Sequence, residues 1–146
     1  MKTFFRAVVW LLLTATLAAW QTPIKLPTSG TIRESFVRLD RGNTAYIAYV
    51  EDYKVKLAKY DGQQITLLGQ VSDGARQAYS PFLRFDQDNT LHIIWGEAVT
   101  LASADNSVMY RTYTPLGGFS AITQMCTYNI PKNHVKGPNH AKMEQL

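Results

Sequence analysis

The sequence predicts an all-β protein made of two consecutive four-stranded antiparallel sheets. Three observations lead there. A sixteen-residue stretch recurs at an offset of 46 positions, turn-forming residues fall at matching places in both copies, and no helical periodicity follows the first eighteen residues. Residues 36–51 lie on residues 82–97 without a gap. Seven of the sixteen positions are identical: Phe36/Phe82, Arg38/Arg84, Asp40/Asp86, Asn43/Asn89, Thr44/Thr90, Ile47/Ile93 and Glu51/Glu97. Most of the others keep their character, as Leu39/Phe85 and Tyr49/Trp95 do.

Residues 1–6 carry two positive charges, residues 7–17 are apolar, and Thr16-Leu17-Ala18 supplies small residues where a signal peptidase reads. That tripartite pattern predicts a removable secretory signal over 1–18, and the apolar run is short for a membrane span. The mature chain is then secreted or periplasmic, with no membrane attachment after cleavage. Residues 19–34 read as an N-terminal extension. The first unit, 35–71, places strands at about 35–39, 44–51, 54–60 and 64–70. Asp40-Arg-Gly-Asn43 is turn chemistry, because these residue types tolerate the backbone angles a tight reversal needs. Lys54-Val-Lys-Leu-Ala-Lys59 alternates and reads as half exposed, and Asp61-Gly62 closes the third hairpin.

The second unit, 72–126, places strands at about 81–85, 90–97, 107–113 and 119–125, with Asp86-Gln-Asp-Asn89 as its matching turn. Leu91-His-Ile-Ile-Trp95 is β-branched and aromatic on both faces, so it needs cover on both sides. Residues 127–146 show no strand pattern and read as a truncated or disordered tail. A unit of about 46 residues holding four strands fits one blade of a β-propeller. The alternative arrangement of the same strands is a two-sheet β-sandwich.

The run from Tyr79 through Glu97, followed by Val108-Met-Tyr-Arg-Thr-Tyr113 and Gly117-Gly-Phe-Ser120, resembles blades of the sialidase-like β-propeller superfamily, over about residues 31–125. Members of that superfamily often carry a Ser-x-Asp-x-Gly-x-Thr-Trp box between the third and fourth strands. Here Tyr60-Asp61-Gly62-Gln-Gln-Ile-Thr66 keeps Asp and Gly without Ser or Trp, and residues 115–120 keep only glycine and an aromatic. The Phe/Tyr-Arg-Ile-Pro motif of sialidases is absent from the sequence. The resemblance implies a two-blade fragment that binds a glycan or an extracellular protein. The enzyme alternative is a fragment or subunit of a sialidase-like glycoside hydrolase.

Glycoside chemistry needs paired carboxylates, or a tyrosine with its activating carboxylate beside an arginine cluster. Glu51 and Glu97 are the weak catalytic candidates, each closing a second strand, where a hairpin residue pairing with a neighbouring Lys or Arg is the favoured reading. Arg33, Arg38, Arg84 and Arg111 supply guanidinium groups, but Arg38 and Arg84 share one repeat position, which suits a role in the sheet better than one in catalysis. Tyr53, Tyr79 and Tyr128 fall at strand ends or loops and are the candidates for facing a ligand, since most other aromatics sit on strands. Asp86-x-Asp88-Asn89 reads as a turn rather than a calcium loop. Cys126, His134 and His140 match no zinc spacing. Neither metal nor cofactor is expected.

Without Lys2 and Arg6 the chain has 15 − 2 = 13 basic and 11 acidic residues, and residues 19–130 hold ten of each. A neutral body argues against nucleic acid as a partner. Cys126 is the one cysteine, so an exported chain must be stabilised by packing rather than by an internal disulfide. Two blades leave outward apolar faces, and self-association is therefore expected.

Overall fold

A computed structural model describes residues 23–101 and 104–129, all of them in strands, turns and connections, with no helix among them. The first sheet is a meander of β1 (Ile32–Leu39), β2 (Ala45–Glu51), β3 (Lys54–Tyr60) and β4 (Ile65–Gln70), antiparallel and in sequence order. The second comprises β5 (Gln77–Phe85), β6 (Leu91–Ala98), β7 (Asp105–Thr114), β8 (Gly118–Phe119) and β9 (Thr123–Asn129). Both β8 and β9 pair with β7, the former at its end and the latter along its start. The fold is all-β, two antiparallel sheets of four and five strands.

The two repeat copies form the same hairpin. Phe36 pairs with Ala48 and Arg38 with Tyr46 in the first; Phe82 pairs with Ile94 and Arg84 with His92 in the second, the same register moved by 46 positions. In each turn one aspartate oxygen accepts two backbone N–H groups. Asp40 Oδ1 takes those of Gly42 and Thr44 at 2.8 and 2.9 Å, and Asp86 Oδ1 those of Asp88 and Thr90 at 2.9 and 2.8 Å. Asn43 and Asn89 sit at φ 63° and 61°, the left-handed conformation asparagine tolerates better than most residues. The repeated Asp and Asn are thus explained by one turn made twice.

The β2–β3 connection is a two-residue reversal with positive φ at both Asp52 (48°) and Tyr53 (62°), the geometry that follows the natural twist of a hairpin. The segment before β1 is tied to it. Thr31 N–H donates to Asp52 Oδ1 at 3.2 Å, Asp52 N–H returns a bond to Thr31 O at 3.3 Å, and the Arg33 guanidinium lies 4.3 Å above the Tyr53 ring.

The last strand departs from expectation. The sequence places a single strand over 119–125; the chain instead breaks after Phe119 and resumes at Thr123 as β9. Arg111 and Thr112 hold that break, through the Ser120 carbonyl and hydroxyl respectively, and β9 then bulges between its partners Val108 and Met109. Tyr128 accordingly stands on a strand rather than in a tail. Residues 1–22 and 130–146, which carry the signal reading and most of the tail reading, lie outside the described residues.

One apolar cluster joins the sheets. Rows of cross-strand neighbours, Phe36–Ala48–Leu57 on the first sheet and Leu83–Ile93–Arg111 on the second, belong to the faces turned toward each other. Tyr46, Val50, Val55, Val71, Ala78, Leu91 and Trp95 complete the buried set. Aromatic contacts stitch the seam: Phe36 and Phe82 rings lie 4.7 Å apart, and Tyr46 meets Phe85 at 5.2 Å. Arg38, above both phenylalanine rings, donates from Nε to the Leu83 carbonyl at 3.3 Å. Arg38 therefore serves the contact between sheets.

Candidate functional site

The two repeated glutamates are buried, each 2% exposed, and they live in opposite environments. Glu51 accepts the N–H groups of Ser29 and Gly30 at 2.7 and 2.6 Å and pairs with Lys56. The Lys56 ammonium, with the Gly30 and Ser29 amides, holds its carboxyl down at about 2. Glu97 accepts from Trp95 Nε1 at 2.8 Å. Burial pushes its carboxyl above the ordinary value, the Trp95 N–H opposes that, and the nearby Asp73 charge adds to it. The same letter at the same repeat position thus gives one locked carboxylate and one that resists ionisation. Neither opens on the other, and no hydrogen-bond partner is common to both.

A pH effect follows with a definite sign. Glu97 holds its proton more tightly in the folded chain than in the unfolded one, where its pKa is near 4.5. Its contribution to stability is therefore greatest below that value and declines as pH rises through the raised folded pKa. Glu51 acts in the other window: its contribution is present above 4.5 and is lost as pH falls through about 2. Glu97→Gln keeps an oxygen for Trp95 Nε1 while removing the buried charge. It should raise the melting temperature near neutral pH and flatten the decline above pH 4.5, as thermal melts across a pH series would read.

The three tyrosine candidates divide. Tyr79 and Tyr128 come together, hydroxyl to hydroxyl at 3.1 Å, and the Tyr79 hydroxyl also donates to Asn106 Oδ1 at 2.8 Å. The Tyr79 ring lies flat over Gly96, whose missing side chain makes the room: a Cβ there would sit 2.4 Å from a ring carbon. Burial, then the Tyr128 hydroxyl, raise the Tyr79 phenol, so it stays neutral and a donor. Tyr53 stands apart at the β2–β3 turn under Arg33. Of the four arginines, Arg33 stacks on Tyr53, Arg38 bonds Leu83 O, and Arg111 donates to Val71 O at 2.8 Å.

Arg84 lines a cavity. An open groove of about 620 Å³ crosses the outward face of the second sheet, where the row Phe82–Ile94–Tyr110 forms its apolar floor. Arg41, Arg84 and His92 are the basic groups along it. His92 is fixed from both sides, Nδ1 to the Tyr110 hydroxyl at 2.8 Å and Nε2 to Asp86 Oδ2 at 3.0 Å. The contact with His92 and the turn amides of Thr90 and Asp88 keep the Asp86 carboxyl below its usual range. Sequence reasoning missed His92, Arg41 and Tyr110 as groove residues. The signal was present: His92 replaces Tyr46 of the first copy at a position that alternation places beside Arg84 and Ile94, on one face.

Among the described residues no three His, Cys, Asp or Glu side chains gather as metal ligands, and no helix is long and apolar enough to cross a membrane. Cys126 is exposed on β9, while His134 and His140 lie outside the described residues. No known family model matches the chain, and neither a characterised protein nor a solved structure is similar to it.

Proposed function

We infer that the chain is a secreted partial propeller of the sialidase-like kind, acting as a binding module for a glycan or an extracellular protein and not as a catalyst on its own. The supporting observation is a contrast between two faces of the chemistry. Glu51 and Glu97, the carboxylates a hydrolase would need, are buried and engaged with Lys56 and Trp95. The groove, which neither glutamate lines, offers what a binding surface uses: aromatic rings, an apolar floor and a few oriented polar groups, Arg84 and His92 among them. Rings and planar guanidinium groups suit sugar faces and protein side chains alike.

Glycan-array binding by the purified chain tests the glycan half directly. Retention that drops tenfold or more on Tyr110→Ala, with the melting temperature preserved, places the ligand on the groove. A fluorogenic sialoside should not be turned over. Turnover lost on Glu97→Gln would replace the binding reading with the hydrolase one.

A further inference from the structure

We propose that the groove face of the second sheet is the seat for a second copy of this chain, which docks through the outward face of its first sheet in a head-to-tail arrangement. The proposal rests on the binding-module reading and names the protein partner of that same groove.

The repeat supplies the reason. Inside one chain, the row Phe36–Ala48–Leu57 packs toward the row Leu83–Ile93–Arg111. Each row has a counterpart in the other copy of the repeat, on a face that the described residues leave at least partly open. The counterpart of the first is Phe82–Ile94–Tyr110, the groove floor. The counterpart of the second is Val37–Ile47–Ala58, on the outward face of the first sheet, which Leu67 extends on β4. The part of that outward face nearer the β1–β2 turn is apolar and open, with Val37 51% exposed, Leu39 59% and Leu67 44%. Ala58 is buried, and Tyr49 and Glu51, farther along β2, are covered by residues 27–30 of the same chain. Laying the Phe82–Ile94–Tyr110 row on the open Val37–Leu39–Leu67 end of the other face, in a second molecule, rebuilds the half of the seam that lies nearer the β1–β2 turn.

Individual contacts carry over. Arg38 reaches the Leu83 carbonyl across the seam, so Arg84, its counterpart, is set to reach the Val37 carbonyl of the second copy. Phe36 stacks on Phe82 within the chain, and Phe82 in turn meets the second copy's Phe36. His92, in the place of Tyr46, comes against Leu39, in the place of Phe85. Such an interface uses two different patches, so it propagates from copy to copy until a ring closes or a filament grows.

The experiment uses the full chain as its expression host processes it, with mass read by sedimentation or light scattering over a wide concentration range. The wild type should exceed monomer mass as concentration rises. Ile94→Arg spoils only the groove face and Val37→Arg only the outward face, so each variant alone should be monomeric and cooperatively melting. Mixed in equal amounts they should form a one-to-one dimer and stop there, because each retains one sound face. If either variant fails to fold, Arg84→Glu and Leu39→Arg, both at exposed positions, take their places. A wild type monomeric at every concentration overturns the proposal, and a glycan-array signal from that monomer would leave the binding reading standing. An associating wild type whose variants do not complement in the mixture also overturns it, since a contact between identical patches, or one elsewhere, behaves that way.

Discussion

Trp95→Ala should lower the unfolding free energy by ~3–5 kcal/mol, measured by denaturant unfolding of parent and variant. Trp95 is 1% exposed, sits midway along β6 opposite Met109, and belongs to the cluster shared by both sheets. Its loss removes a large aromatic from a site where strands on either side prevent collapse, and it also strips Glu97 of its N–H donor. A domain of this size is stable by roughly 5–15 kcal/mol, so the change takes a large share of the total. Trp95→Phe separates the causes: most packing survives while the buried carboxyl loses its partner. An unfolding midpoint for Trp95→Ala within error of the parent would mean that the two sheets are not held by this cluster.

Gly96→Val should cost ~1–3 kcal/mol, the usual range for forcing extra volume into a packed site. Any Cβ at residue 96 lands 2.4 Å from the Tyr79 ring, and that ring carries the hydroxyl bonded to Asn106 and Tyr128. Moving it loosens β9 from the edge of the second sheet. Tyr79→Ala should cost stability alone yet partly rescue Gly96→Val, because removing the ring removes the clash. A coupling of 1 kcal/mol or more in that double-mutant cycle is the expected result, and strict additivity would show that the ring and the glycine do not share space.

The hairpins were legible because their determinants are local. Asp40 and Asn43, repeated as Asp86 and Asn89, act within four residues of chain, so sequence spacing alone fixes the turn and the register that follows. The burial of Trp95 was legible for a similar reason, since a strand apolar on both faces must be covered on both. The pairing of Glu51 with Lys56 is the neighbour-lysine reading of that hairpin position; the fate of Glu97, bonded to Trp95 instead, was not legible. Whether a carboxylate ends up paired depends on a neighbour supplied from elsewhere: Lys56 in one copy, where the second copy has Met109, and the N-terminal amides of Ser29 and Gly30. The break at Ser120 was equally hidden, because Arg111 and Thr112 impose it from the adjacent strand. The groove was half legible. Alternation put Arg84, His92 and Ile94 on one face, but only the tertiary arrangement leaves that face open.

The stitching between the β2–β3 turn and the segment ahead of β1 has a consequence for how the molecule breathes. Asp52 and Tyr53 hold a strained left-handed backbone without glycine, which persists only where surroundings over-determine it. Here the surroundings are Thr31, bonded twice to Asp52, and Arg33, stacked on Tyr53. Ser29 and Gly30 are meanwhile moored on Glu51, one residue before the turn. Opening either piece breaks the contacts that hold the other, so residues 29–33 and 51–53 are expected to exchange their amide hydrogens as one cooperative unit. When the start of the first strand lifts away, Glu51 loses its two amide donors, and the turn is free to leave its left-handed conformation.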